Sequence, residues 1–298
     1  MGNGVPSNFL DVTVLIATKN EEANIAKCIL SCEPACEIYV IDSGSSDRTT
    51  VIASDLGARV LTFAWNGGYP KKRQWALDNI DFKTKWILLL DADEEVDQSL
   101  WSEIEANISD SKNNVAFFIK KEFHFLGKKF RFGGFSHWAC LLITCNNCRF
   151  ENLNESASSG LDMEVHERVI TDGGKTTYLR NYLKHEDFKG LQAYISRHNA
   201  YSTWEAELRA HMFEEGVYGV DTIQASAFGN VQQRKRFVKF LVIRLPFESL
   251  LWFGYHYLFR LGFLHGRAGW IASRMRANYI ADVRAKTYET ALMKERDE

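Results

Sequence analysis

The chain has 298 residues, of which 46% are apolar and 25% charged, so it can bury the core of one large α/β domain with an appendage and is not a disordered chain. Its formal net charge of −2 argues against a nucleic-acid partner. Residues 232–284 hold ten Lys or Arg against two acidic residues, a local +8, so the remainder carries −10. Residues 1–10 lack a basic start followed by an apolar run, which favours a cytoplasmic location.

Strand and helix patterns alternate through the first 90 residues. Short β-branched or apolar runs predict strands at 12–17, 37–41, 58–63 and 86–90. Helical spacing predicts helices at 21–31, 48–56 and 71–80. This alternation predicts an α/β fold with a mostly parallel sheet covered by helices on both faces. Ligands bind beyond the carboxyl ends of such strands, which directs attention to residues 17–20, 42–46 and 91–93.

Two carboxylates, Asp91 and Asp93, directly follow the apolar strand at 86–90. Oxygen ligands in this arrangement suit Mg²⁺ or Mn²⁺. Such an ion would bridge the diphosphate of a nucleotide sugar and stabilise charge on the leaving group. The alternative is that the pair merely caps a helix beginning near Asp97. The two other polar strand ends favour the metal interpretation.

Further polar residues are expected in the ligand-binding crevice beyond these strand ends. Asp42 ends the second strand and could accept hydrogen bonds from a base or ribose, or be an ordinary turn aspartate. Thr18 and Glu21 follow the first strand and could line the crevice. Arg73, with its neighbour Lys72, could neutralise phosphate charge from the start of the third helix, or lie on a solvated helix face.

A zinc site is a second metal hypothesis. His137, Cys140, Cys145 and Cys148 could supply four ligands. However, residues 141–144 read as a strand and 146–147 as a turn, so a hairpin with incidental cysteines is favoured over zinc.

Three motifs resemble those of family 2 glycosyltransferases, which have the GT-A fold. They are VLIATKNEE at residues 14–22, IDSGSSDRT at 41–49 and LLLDADE at 88–94. The second resembles the family's nucleotide-binding turn, and the third resembles its metal-binding motif. The resemblance implies that Ser43 and Ala92 join the nucleotide-sugar site.

Four later segments narrow the resemblance to one branch of the family. Residues 70–77, 162–167, 184–188 and 197–206 are similar to lipopolysaccharide-core β-glucosyltransferases and related exopolysaccharide enzymes. The resemblance implies a nucleotide-sugar donor, most often a uridine one, and a lipid-linked or envelope glycan acceptor. Arg73 and Gln74 stand where many members have Lys-Asn, so this chain departs from the pattern there.

Inversion at the anomeric carbon needs a base that takes a proton from the acceptor hydroxyl. Glu167 occupies the position that resembles the family's catalytic carboxylate, and Asp162 and Glu164 are rivals on the same segment. His166 could orient Glu167 or contact the acceptor, as could Asp162. His185 could be a third metal ligand beside Asp91 and Asp93, since neutral imidazole suits Mn²⁺.

The last part of the chain is basic and rich in aromatic residues. Its longest uncharged run, residues 249–259, is too short for a spanning helix, which needs about 20 residues. Basic and aromatic residues together favour an amphipathic element on a membrane surface through residues 232–284, with the enzyme peripheral on the cytoplasmic face. The alternative is a helix pair packed on the catalytic domain or in a homo-oligomer.

These observations predict a GT-A catalytic domain at residues 1–211, with a donor half at 10–110 and an acceptor half at 111–211, followed by a helical element at 212–298. Two alternative functions stay open. One is transfer onto polyprenyl phosphate from the same donor site. The other is an inactive scaffold that binds nucleotide sugars.

Overall fold

The computed structural model describes residues 9–110, 113–153, 162, 164, 168–185, 190–216, 219 and 221–297. The strands in this part of the chain are β1 (Leu10–Thr18), β2 (Ala35–Asp42), β3 (Arg59–Thr62), β4 (Trp86–Asp91), β5 (Glu94–Glu95), β6 (Asn114–Lys121), β7 (His124–Phe125), β8 (Lys128–Lys129), β9 (Trp138–Thr144), β10 (Cys148–Phe150), β11 (Val169–Thr171) and β12 (Lys175–His185). The α-helices are α1 (Ile25–Leu30), α2 (Thr49–Asp55), α3 (Lys72–Asn79), α4 (Gln98–Ser109), α5 (Leu191–Glu215), α6 (Val231–Val242), α7 (Glu248–Gly254) and α8 (Arg267–Asp297).

The chain divides into two compact units. The first comprises residues 1–122, 137–150 and 162–187, and the second comprises 123–136, 151–161 and 188–298. The expected domain boundary at residue 211 falls inside α5, which belongs to the second unit.

The first unit is built on an eight-stranded sheet in the order β3-β2-β1-β4-β9-β6-β12-β5. The pairs β1–β2, β1–β4, β2–β3 and β6–β12 are parallel, whereas β9 and β5 run antiparallel to their neighbours. The predicted fold class, a mostly parallel α/β sheet of the GT-A kind, is confirmed. Residues 86–90 are all buried, which explains why β4 reads as a continuous apolar run instead of an alternating one.

The predicted hairpin around the later cysteines is wrong. β9 pairs with β4 and β6, whereas β10 pairs with β11. A 3-10 turn at Cys145–Asn147 separates β9 from β10, so the chain turns without pairing the two strands. Burial raises the pKa of the Cys148 thiol to about 11. Its Sγ lies 3.5 Å from the carbonyl of Val115 in the core of the first unit.

The second unit is helical and packs around buried ion pairs as well as apolar groups. The guanidinium of Arg209 donates hydrogen bonds to Glu205 and Glu248, and the hydroxyl of Tyr279 donates to Glu205 at 2.5 Å. Leu153, Trp204, Leu208, Met212 and Ile243 form an apolar cluster. Within the described ranges, no helix is both long and apolar enough to cross a bilayer.

Candidate active site

Two acidic strand ends lie on either side of the end of β1. In the sheet register Thr18 is opposite Asp42 on β2, and Ala17 is opposite Asp91 on β4. The backbone N–H of Ser43 donates to the carbonyl of Thr18 at 3.2 Å, which joins the two chain segments where they leave the sheet. Parallel strands therefore place the predicted nucleotide turn and the predicted acidic turn at one edge.

Asp42 organises the turn that follows β2. Its carboxylate accepts hydrogen bonds from the N–H groups of Gly44 (2.9 Å) and Ser45 (2.8 Å) and from the Ser45 hydroxyl (2.5 Å). Gly44 has φ of +75°, a conformation that glycine adopts without the strain of a side chain. These three bonds use most of the acceptor capacity of one carboxylate, so Asp42 holds the shape of its own turn.

The loop after β1 is tied to the same turn. The N–H of Glu21 donates to the Thr49 hydroxyl at 2.8 Å, and the N–H of Asn20 donates to the Ser45 hydroxyl at 2.8 Å. The N–H of Ser46 in turn donates to the Asn20 side-chain carbonyl at 2.8 Å. Glu21 thus takes part in the site through its backbone. The hydroxyl of Thr18 is buried and lacks a hydrogen-bond partner among the described residues.

Asp91 lies in a network of buried charges. One carboxylate oxygen accepts from Arg73 at 2.6 Å, and the other accepts from Lys121 at 2.9 Å. The ammonium of Lys121 also lies 2.5 Å from Glu94, which has no exposed surface. Burial alone would raise the pKa of Asp91, but the charges of Lys121 and Arg73 hold it well below its usual range. Burial raises the pKa of Glu94 above its ordinary value, although Lys121 opposes this effect.

The start of α3 carries the predicted phosphate-binding residues. The ammonium of Lys72 lies 2.9 Å from the carbonyl of Thr18 and 3.4 Å from Asp162. Burial lowers the pKa of Lys72, and the charge of Asp162 only partly compensates. The Nε–H of Arg73 is buried and has no hydrogen-bond partner in the described part of the chain.

Glu164, one of the rival bases, caps α3. Its two carboxylate oxygens accept from the backbone N–H groups of Arg73 (3.0 Å) and Gln74 (2.9 Å). These donors belong to the first turn of the helix, which has no partner for them within the helix itself. A carboxylate here also interacts favourably with the helix dipole. The observed contacts of Glu164 are thus structural.

Asp93 and His185 contact each other at the acidic turn that follows β4. The Nε2 of His185 lies 3.6 Å from the Asp93 carboxylate, because β12 brings His185 into register with Glu94 on β5. Burial lowers the pKa of His185, but the interaction with Asp93 and the charge of Glu94 outweigh it, so the pKa lies above its ordinary value. Ala92, between the two aspartates, is buried. Across the described residues, no group of three or more His, Cys, Asp or Glu forms a ready-made metal cluster.

The predicted base, Glu167, and its neighbour His166 lie outside the described residues. Asp162 is described and contacts Lys72, as given above. Sequence reasoning missed Lys121 and Glu94. The available signal was two lysines, Lys120 and Lys121, at the end of the apolar strand β6, where one of them must face the core.

Comparison with known proteins connects this site to a family. The model of glycosyl transferase family 2 matches residues 13–153. An uncharacterized glycosyltransferase, RT0209, of Rickettsia typhi is 28% identical over 266 residues, which is 88% of this chain and 81% of that protein. The lipopolysaccharide core biosynthesis glycosyltransferase LpsC of Rhizobium meliloti is 26% identical over 299 residues, covering 96% and 95%.

A solved structure is similar over a smaller part of the chain. Glucosyl-3-phosphoglycerate synthase from Mycobacterium tuberculosis, solved with Mn²⁺, uridine diphosphate and glucosyl-3-phosphoglycerate, shares 23% identity with a TM-score of 0.31. The match covers 36% of this chain and 42% of that one. Residues 13–153, just under half of the chain, thus match glycosyltransferase family 2, and the chain is similar over most of its length to glycosyltransferases that include a lipopolysaccharide-core enzyme.

Proposed function

We propose that this glycosyltransferase moves a sugar from a uridine-diphosphate sugar to a lipid-linked or envelope glycan, with inversion, at the cytoplasmic face of a membrane. The observation that carries the proposal is the pair of acidic strand ends, Asp42 and Asp91, on either side of β1. The similarity to LpsC, a lipopolysaccharide core biosynthesis enzyme, supports a glycan acceptor of the cell envelope.

The donor site is proposed to use groups that are buried but incompletely bonded. The Thr18 hydroxyl and the Arg73 Nε–H both lack partners among the described residues. A buried polar group without a partner is costly, so such groups point to a ligand that completes them. We assign the nucleotide to the turn of Asp42 and Ser43, and the diphosphate to the region between Thr18, Arg73 and Ala92.

A divalent cation is proposed to bind beside Asp93. The Asp93 carboxylate and the His185 imidazole, 3.6 Å apart, offer the oxygen and nitrogen ligands that Mn²⁺ accepts. Asp91 is proposed as the neighbouring ligand, although Arg73 and Lys121 already share its charge. When bound, the cation would stabilise negative charge on the departing diphosphate.

The acceptor side is proposed to centre on Glu167, Asp162 and His166. Glu167 would remove the proton from the acceptor hydroxyl as the oxygen attacks the anomeric carbon and the bond to the diphosphate breaks. His166 and Asp162 would orient the acceptor. Burial would raise the pKa of Asp162, but the Ser43 hydroxyl and the charge of Lys72 lower it, so Asp162 would present a negative charge to the acceptor.

The second unit is proposed to contact the membrane. Between α7 and α8 the chain forms a π-helical turn (Tyr255–Phe259) and a 3-10 turn (Gly262–His265). Large apolar side chains are exposed both around α7 and in this connection: Phe247, Leu250, Leu258, Phe259 and Leu264 are each more than half exposed. Arg260 and Arg267 lie beside them, as expected for an element in the interface with anionic lipid.

A hydrolysis panel of nucleotide sugars with Mn²⁺ tests the chemistry. We expect release of the nucleoside diphosphate from one uridine donor, and loss of transfer in Glu167→Gln with donor binding retained. Binding of every donor without turnover would instead mark an inactive scaffold. Product formed on polyprenyl phosphate, and not on a lipid-linked saccharide, would replace the glycan acceptor with the lipid phosphate.

A further inference from the structure

An exposed group of aromatic residues lies on the outer face of the sheet in the first unit. We call it the aromatic platform: Phe118 and Lys120 on β6, Trp138 on β9, and Tyr178 and Tyr182 on β12. The three strands are neighbours in the sheet, with β6 in the middle. Neither the nucleotide site nor the proposed base uses any of these residues.

The strand register aligns the platform residues in two adjacent rows that run across the strands. Lys120 pairs with Trp138 on one side and with Tyr182 on the other, while Phe118 pairs with Tyr178. The rings of Phe118 and Tyr178 stack with centroids 4.8 Å apart, and Trp138 meets Tyr178 edge-on at 5.0 Å. The Lys120 ammonium lies 4.9 Å from the centre of the Tyr182 ring and donates a hydrogen bond to its hydroxyl at 3.3 Å.

Three of the four rings of the platform are partly exposed, whereas Phe118, stacked against Tyr178, is buried. Trp138 is 37% exposed, and Tyr178 and Tyr182 are each 41% exposed. By contrast, the alternate residues of the same strands, Ile119 and Leu183, are fully buried on the opposite face. Large rings with a polar group at their margin are typical of binding surfaces, since they supply contact area at small entropic cost.

The platform lies next to the candidate site along β6, although on the opposite face of the sheet. Lys121, which pairs with Asp91, is the next residue after Lys120 and points to the other face. The N–H of Lys121 donates to the carbonyl of His137, the residue before Trp138, at 3.0 Å. Lys120 and Trp138 therefore lie at the edge of the sheet where Asp91 ends its strand, one residue removed from the buried charges.

We infer that the aromatic platform binds a saccharide unit of the acceptor glycan next to the one that reacts. A pyranose ring offers an apolar C–H face that packs on Trp and Tyr rings, and hydroxyls that accept from the Lys120 ammonium or bond to the Tyr182 hydroxyl. The inference rests on the proposed glycan acceptor and adds a subsite to it.

Direct binding and kinetics test the subsite together. The probe is an oligosaccharide of the lipopolysaccharide core, released from its lipid and titrated against full-length protein by calorimetry. We expect Trp138→Ala and Tyr182→Ala to weaken this binding about tenfold each, as truncation of an aromatic anchor does. The acceptor KM should rise by the same factor, while the donor KM and donor hydrolysis stay unchanged. Trp270→Ala, an exposed tryptophan of the second unit, is the matched control.

The outcomes separate the subsite from the proposed function. If the wild type hydrolyses the donor but Trp138→Ala and Tyr182→Ala keep the wild-type acceptor KM and saccharide affinity, the subsite is wrong and the proposed function stands. If the wild type hydrolyses no donor, the proposed function is wrong, whatever the saccharide-binding measurements show for the subsite. If the two variants instead change the sedimentation coefficient and leave saccharide binding intact, the platform joins two copies of the chain and the inference is overturned.

Discussion

The ammonium group of Lys121 lies 2.9 Å from the carboxylate of Asp91, in the buried edge of the first unit. Together with Arg73 it supplies two positive charges to Asp91 and Glu94, so the cluster is neutral by itself. Asp91, the first aspartate of the predicted metal motif, is therefore held by ion pairs with Arg73 and Lys121. The second aspartate, Asp93, faces His185.

Removing the Lys121 charge should destabilise the protein. Lys121→Met leaves the carboxylates of Asp91 and Glu94 buried with one cation fewer, and breaking such a pair costs about 3–5 kcal/mol. Urea unfolding measures the loss. Lys120→Met is the control, because its side chain lies on the outer face and should cost less than about 1 kcal/mol. Equal losses in the two variants would show that the charge network adds nothing to stability.

Asp93→Ala should abolish metal-dependent transfer and weaken Mn²⁺ binding. The substitution removes the carboxylate that faces His185 while leaving the Asp91 network intact. Donor turnover and calorimetric titration with Mn²⁺ measure the two effects. Asp55→Ala, on the exposed side of α2, should change neither. Near-normal turnover in Asp93→Ala would remove the metal assignment.

Glu164→Gln should lower stability by about 1–2 kcal/mol, because an amide replaces one of the two oxygens that accept from the first turn of α3. Transfer measured on the folded variant should persist, in contrast with Glu167→Gln. Thermal unfolding and initial rates are the paired measurements. Lost transfer with unchanged stability would identify Glu164, and not Glu167, as the base.

Stability of the second unit should fall in mild acid through His256. Burial lowers the pKa of His256 to about 4, and the charges of Arg276 and Arg260 lower it further, despite its Nδ1 lying 2.6 Å from the carbonyl of Gly133. The unfolded chain, with a pKa of about 6.5, binds the proton more readily. The stability that neutral His256 contributes is therefore complete above pH 6.5. It is lost progressively toward pH 4, which lowers the free energy of unfolding by about 3 kcal/mol.

Unfolding by urea at pH 7 and pH 4.5 checks this dependence. His256→Asn keeps a side-chain N–H donor near Gly133 but cannot be protonated, so its stability should fall less between the two pH values. His198, whose pKa burial also lowers to about 4, supplies a further acid-sensitive term that remains in the variant. An identical fall in the variant and the wild type would exclude His256 as a cause.

Vesicle binding should depend on the connection between α7 and α8. Replacing Leu258 and Phe259 together by Glu removes two exposed apolar groups and adds two negative charges, so sedimentation with anionic vesicles should fall at least tenfold. Tyr288→Glu is the control, since Tyr288 is equally exposed but lies two-thirds of the way along α8. Unchanged binding of the double variant would contradict the membrane proposal.

The amino-acid sequence by itself determined the α/β class and the strand ends at Asp42 and Asp91, because β-branched runs, polar turns and short motifs are local signals that do not depend on distant partners. It also carried the three motifs that resemble glycosyltransferase family 2, and all three lie within the residues that match the family model. The tertiary structure decided which charges meet. Lys121 contacts Asp91 from 30 residues away, His185 meets Asp93 through the pairing of β12 with β5, and β9 and β10 take separate partners. Such pairings depend on sheet order and register, which local patterns do not specify.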